Sequence, residues 1–209
     1  MPETPSTPWP SASDGTRSPA VEGQRAFASP VLLRALVALA FGAVTVFWGA
    51  PSAGGAAWCF AAYFVGLAVA RAWLLRQQGL SADPGARPSA TLRIVASVAY
   101  GLAAALGLGL GAAPEPSTIG IGGAIALALT GAADLASGIA GRRRSPLARD
   151  EVITGAVHLG AGALLPFFLG LGVHALLGVA GGAAIITGVL LAIAGLSLRQ
   201  DSPGAARVA

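Results

Sequence analysis

Few side chains in this 209-residue chain could do chemistry, and two of them, Asp134 and His158, stand where charge is expensive. Asp134 lies in the apolar run 118–139, eight residues before Arg142. At about 1.5 Å per residue that is ~12 Å along a helix. His158 lies in the run 152–170, eight residues after Asp150. The spacing predicts that the two sit at similar depth on consecutive helices. An ionisable group inside a membrane span usually faces a partner or a cavity. One reading is a proton-sensitive Asp–His pair, because a histidine free of perturbation titrates near pH 6.5. The other is an ion pair between Asp134 and an arginine that opens a span, either Arg34 or Arg93. Both readings require Asp134 to face the interior and to touch Arg34, Arg93 or His158; an Asp134 that snorkels to the interface is the remaining alternative.

The remaining inventory points away from an enzyme. No Ser–His–Asp spacing, metal-ligand cluster or carboxylate pair occurs. No cofactor is expected. The stretch Gly107 to Ala113, GLGLGAA, imitates a dinucleotide-binding loop but lacks the preceding strand that such a loop needs. The single cysteine, Cys59, can form neither an internal disulfide nor a zinc cluster, and reads as a gap-filler in the second span. His174 falls at the opposite membrane edge, as an interfacial residue.

The elements that must position these groups follow from hydropathy. Mean hydropathy is +0.72 and only 11% of residues are charged. Six apolar segments, roughly 31–49, 53–74, 91–111, 118–139, 152–170 and 173–196, approach the length of about 20 residues that a spanning helix needs. In lipid the backbone must satisfy its own polar groups, so these runs become helices. They do not alternate as β-barrel strands would. The expected fold is all-α, an integral membrane bundle of six helices.

All thirteen basic residues are arginines, and they fall in the two tails, in the second and fourth gaps, or, as with Arg34, Arg71 and Arg93, in the segment ends that border them. The first, third and fifth gaps have none. Arginine is retained on the cytoplasmic side, which predicts both termini inside a cell membrane. There the arginines would meet anionic lipid headgroups rather than nucleic acid. Residues 1–30, rich in Pro, Ser and Thr, read as a disordered cytoplasmic tail. The membrane domain then runs 31–198, and 199–209 form a second tail.

The three gaps without arginine are short, so the spans should pair as hairpins over 31–74, 91–139 and 152–196. The hairpins look like repeats. Arg34 precedes Gly42 by the same interval as Arg93 precedes Gly101, and Gly162 takes that glycine's place in the third hairpin. In the second helices Gly66, Gly131 and Gly188 recur in similar surroundings. Small residues let helices approach closely in lipid, where van der Waals contact drives association. Gly178 and Gly182 have the spacing of such a contact, and a homo-oligomer is one way of using it.

This hairpin pattern resembles the HdeD-like membrane proteins. The likeness rests on Arg34, Gly42, Pro51 and Gly66 in the first hairpin, and on Arg93, Gly101 and Gly131 in the second. The third hairpin departs from it, with Thr154 where the arginine would stand. The resemblance implies a non-enzymatic inner-membrane protein built from a short membrane repeat, associated in some members with acid or stress resistance. It supplies no active-site residues. The alternative is a small transporter or channel with a polar path near Asp134 and His158.

Overall fold

The computed structural model describes residues 19–81, 87–143, 145 and 147–200. The helices are α1 (Pro19–Phe47), α2 (Ala53–Leu80), α3 (Ala90–Leu110), α4 (Pro116–Gly141), α5 (Ala148–Leu164) and α6 (Val173–Gln200). No strand occurs among the described residues. Six helical segments are long and apolar enough to cross a membrane. Many large apolar side chains face outward, Leu36, Ile94, Ile125, Ile139 and Ile193 among them. So much exposed aliphatic surface on every helix suits lipid, and the chain reads as a multi-pass membrane protein.

Local chemistry sets the helix ends. Ser52 caps α2 by accepting from the Gly55 amide, and Ser89 caps α3 by accepting from Leu92 at 3.2 Å. Pro116 opens α4, where a missing amide hydrogen costs nothing. Pro166 ends the α-helical ladder of α5, and Leu165–Leu171 continue as a 3₁₀ segment. Gly172, with φ of 83°, turns the chain into α6 in a region that disfavours other residues.

Two boundaries differ from the sequence reading. Helix α1 starts at Pro19, well inside the expected tail, and Phe27, Ala28 and Val31 are buried in a cluster with Leu74, Leu147, Leu191 and Leu198. Helix α2 runs to Leu80, past the apolar stretch that ended at 74. Residues 1–18 and 201–209, the rest of the two expected tails, lie outside the described residues.

Helices α2, α4 and α6 touch one another at the centre. Each odd helix lies between two even ones: α1 between α6 and α2, α3 between α2 and α4, α5 between α4 and α6. Hairpin partners are neighbours, yet the most extensive contacts are α1 with α6, α4 with α5 and α2 with α3. Each second helix therefore packs more heavily on the next hairpin than on its own.

Glycines explain part of this. A Cβ on Gly131 would lie 2.9 Å from the Gly155 carbonyl of α5, and one on Gly162 equally close to the Ala124 carbonyl of α4. Gly138 is tighter, 2.6 Å from the Ala148 carbonyl. Gly188 approaches the Leu39 backbone of α1 at 3.1 Å, and Gly42 meets Ile185 and Gly181 of α6. Two of the expected packing glycines do otherwise. Gly66 faces the Val37 side chain of α1, not a next-hairpin backbone, and Gly101 is exposed with nothing within 4 Å. Gly178 and Gly182 also point outward into open space.

Buried positions recur along the helices. On α1 they include Arg34, Ala38, Phe41 and Thr45; on α5 and the first residue of the 3₁₀ segment after it, with the same spacing, Thr154, His158, Ala161 and Leu165. Helix α3 carries Ala96, Tyr100, Ala103 and Gly107 at that spacing. The even helices bury Phe60, Leu67 and Arg71; then Gly123, Thr130 and Asp134; then Ala180, Thr187 and Leu191. Thr130 and Thr187 also share a role, each hydroxyl donating to carbonyls one turn back in its own helix.

Candidate functional site: a buried ionic cluster

Five helices bring charged and polar side chains together inside the bundle. Asp134 of α4 is fully buried and sits at the centre. The Arg34 guanidinium of α1 donates to both carboxylate oxygens, through Nη1 to Oδ1 at 3.2 Å and through Nη2 to Oδ2. This fork-to-fork geometry is what a guanidinium offers and an ammonium does not. The Tyr100 hydroxyl of α3 donates to Oδ1 at 2.7 Å. The His158 Nδ1 of α5 stands 3.8 Å from Oδ2.

A second ion pair lies alongside. The Arg71 guanidinium of α2 donates to Glu151 Oε1 at 2.6 Å and to the Ser137 hydroxyl at 2.5 Å. Its Nη1 is also 3.9 Å from Asp134 Oδ1, which joins the two pairs. Both guanidinium groups pack over the Tyr100 ring, with their central carbons 5.6 and 5.8 Å from its centroid. A desolvated cation over an aromatic face gains about 2 kcal/mol. Tyr100 thus serves both guanidinium groups by its ring and Asp134 by its hydroxyl.

Charge balances across the cluster: two guanidinium groups face two carboxylates. The balance matters because an unpaired buried charge is far costlier than a paired one. His158 is the one group whose state would disturb it. Its Nε2 lies 3.0 Å from the Tyr63 hydroxyl of α2. With that hydroxyl donating to Nε2, the ring proton sits on Nδ1 and faces Asp134. The opposite tautomer leaves Nδ1 a bare acceptor beside a carboxylate, so the first is favoured. Nδ1 of His158, Nε of Arg34, Nε of Arg71 and the Thr154 hydroxyl have no hydrogen-bond partner among the described residues.

The cluster occupies the half of the bundle nearer the described chain ends. Arg71 lies nine residues from the end of α2, and Asp134 seven from the end of α4. Toward the other end the interior is apolar. Phe41 stacks on the Tyr63 ring at 4.3 Å and leans on Phe60 at 5.4 Å. Ile119, Leu165 and Leu176 are fully buried beyond them. A cavity of about 220 Å³ opens on the cluster's own side, between α2, α3, α4 and α5. Arg71, Ser137 and Glu151 line its inner wall, with Arg87 and Ser89 nearer the rim.

Of the residues picked out by sequence, Asp134, His158 and Arg34 are thus brought together. Arg93 is not. It is exposed on α3, lines an outer groove with Arg76, and lies beside Gly79. The buried face of α3 runs through Ala96, Tyr100 and Ala103, so Arg93 points elsewhere. Arg71, Tyr63, Tyr100, Ser137 and Glu151 were not anticipated. For Arg71 a signal existed: the apolar turn Trp73 to Leu75 follows it, so the helix carries on beyond the charge. Comparison with protein-family models, with curated proteins and with solved structures returned no match for this chain.

Proposed function

We propose that the chain is a non-enzymatic membrane protein of the HdeD-like type that contributes to acid resistance, with the buried cluster as its acid-responsive element. The observation that carries this reading is the charge-balanced Arg34–Asp134 and Arg71–Glu151 core with His158 at its edge. His158 is faced by Asp134 from α4, by Arg34 from α1 and by Tyr63 from α2. A proton on the ring makes it a cationic donor toward Asp134 and leaves the cluster with one surplus positive charge. In a site this dry such a surplus favours any rearrangement that admits water or an anion. The recurrence of buried positions supports a bundle of three repeated hairpins. The arginine distribution supports placing both termini, and the cluster, on the cytoplasmic side, next to anionic lipid headgroups.

The test uses a deletion strain carrying the wild-type chain, Asp134→Asn or His158→Gln, each checked for equal membrane abundance. Survival and internal pH are followed after acid challenge. The reading expects both variants to lose protection while supporting normal growth at neutral pH. Wild-type survival in both variants would leave the cluster a structural core only. A transporter reading is less well supported, because apolar Phe60, Ile119, Leu165 and Leu176 fill the interior where a path would have to continue.

A further inference from the structure

We infer that the cavity beside Arg71 is a binding site for a short-chain carboxylate carrying one negative charge. This does not rest on the acid-resistance reading. The walls combine buried polar groups with a rim cation. Arg71, Ser137, Glu151 and Gln78 are each at most 8% exposed, and Ser89 and Ser145 add hydroxyls. Among the described residues that line the cavity, Arg71 is balanced by Glu151, so the exposed Arg87 leaves that lining with a net single positive charge. A monovalent anion neutralises it, whereas a divalent one would place surplus negative charge next to Glu151. Arg87 is held over the opening by donating through Nε and Nη2 to the Ser81 carbonyl at 3.0 and 2.7 Å. Its charge is therefore positioned while remaining unneutralised by any carboxylate among the described residues.

The shape of the walls narrows the ligand further. Leu75, Leu92, Pro88 and Ala140 add apolar surface to the lining beside the hydroxyls. A bare halide would leave that apolar surface without a partner, while a carboxylate with two or three carbons in its tail offers a group to each kind of lining. The volume agrees: an apolar cavity of about 150 Å³ suffices for benzene, and this one measures about 220 Å³. A phospholipid headgroup carries its own tails and a larger ester, and would protrude.

The experiment follows the melting temperature of the purified full-length protein in nanodiscs of zwitterionic lipid, titrated with sodium propionate. Sodium chloride and propionamide serve as ionic-strength and charge controls. Propionate should raise the melting temperature saturably, and both controls should not. Arg87→Gln, which alters a rim residue outside the buried cluster, should move half-saturation at least about tenfold higher, the scale of one charge-assisted contact. Ala140→Phe should abolish the response by filling the cavity, and Arg93→Gln, in a different groove, should leave it unchanged. An equal response to propionamide or chloride would overturn the inference, as would undiminished propionate binding in Arg87→Gln.

Discussion

Removing the Asp134 carboxylate separates two views of what holds this bundle together. In Asp134→Leu, Arg34 loses both its acceptors, the Tyr100 hydroxyl loses its own, and the balance of two against two is broken. Stranding a buried charge typically costs about 3–5 kcal/mol. If instead the contacts behaved as ordinary polar contacts in membrane proteins, three bonds at about 0.6 kcal/mol each would amount to roughly 2 kcal/mol. The double variant Arg34→Leu with Asp134→Leu decides between them. It removes the stranded cation, leaves Arg71 with Glu151, and orphans only the Tyr100 hydroxyl, worth about 1–3 kcal/mol. Because the Tyr100 hydroxyl is orphaned in both variants, its cost cancels, and the double variant should be more stable than Asp134→Leu alone by about 3 kcal/mol, the lower end of the stranded-charge cost. Reversible unfolding in mixed micelles of the wild type, Asp134→Leu, Arg34→Leu and the double variant closes the cycle. If the double variant is the less stable, with the two losses simply adding, the stranded-charge argument is wrong.

Other outcomes follow from the same geometry. Gly138→Ala should destabilise by at least about 1 kcal/mol and loosen α4 from α5, because its Cβ would meet backbone at 2.6 and 2.7 Å; unfolding in micelles checks it. Gly101→Ala, with open space around it, should be neutral or gain up to about 1 kcal/mol by helix propensity. Arg71→Lys should destabilise more than Arg76→Lys, since an ammonium cannot serve Glu151, Ser137 and the Tyr100 face together; thermal melts of the two variants would show it. A reporter active only outside the cytoplasm should work when fused at residue 114 and stay silent at residue 209. The reverse pattern would invert the orientation read from the arginines.

How much of this was legible depended on which physical signal carried it. Span number and approximate limits came from hydropathy, because the bilayer imposes one length on every crossing segment. The depth match of Asp134 and His158 needed only residue counting along adjacent helices. What counting cannot supply is rotation about a helix axis. Arg34 and Arg93 look alike in spacing to a glycine, yet one faces the core and the other the surface. The pattern of small and aromatic residues was the better guide on α3, since Ala96, Tyr100, Ala103 and Gly107 fall on one stripe. Read along that stripe, Ala96 rather than Arg93 takes the place that Arg34 holds on α1 and Thr154 on α5. Arg71 was lost for a related reason. Set among the arginines of the second gap, it counted as a topology signal, although its helix continues nine residues further.

The recurrence of buried positions gives the cluster its logic. Arg71 on α2, Asp134 on α4 and Leu191 on α6 occupy corresponding places, as do Ala38, Tyr100 and His158 on the odd helices. Three similar hairpins carrying one residue type at each place would crowd like charges together or leave none at all. Here the corresponding places carry a cation, an anion and an aliphatic group, so each charge finds its opposite on a neighbouring helix. Hydrogen bonds and ion pairs link α1, α2 and α3 to α4, and α2 to α5, while α6 meets its neighbours through Leu191, Gly188 and other apolar contacts. Packing glycines bring α4 onto α5 and α6 onto α1. The α2–α3 contact has its backbone approach at Gly107, whose Cβ would lie 3.2 Å from Ala61 Cα, and none at Gly66 or Gly101; the cavity opens toward the other end of this pair, bounded also by α4 and α5. Replacing Ala68, which corresponds to Gly131 and Gly188, by glycine should draw α3 toward α2 and narrow the cavity. Cross-linking yield between cysteines placed at Leu75 and Leu92 would then rise in Ala68→Gly. An unchanged yield would mean that a glycine at position 68 does not set how closely α2 and α3 approach beside the cavity.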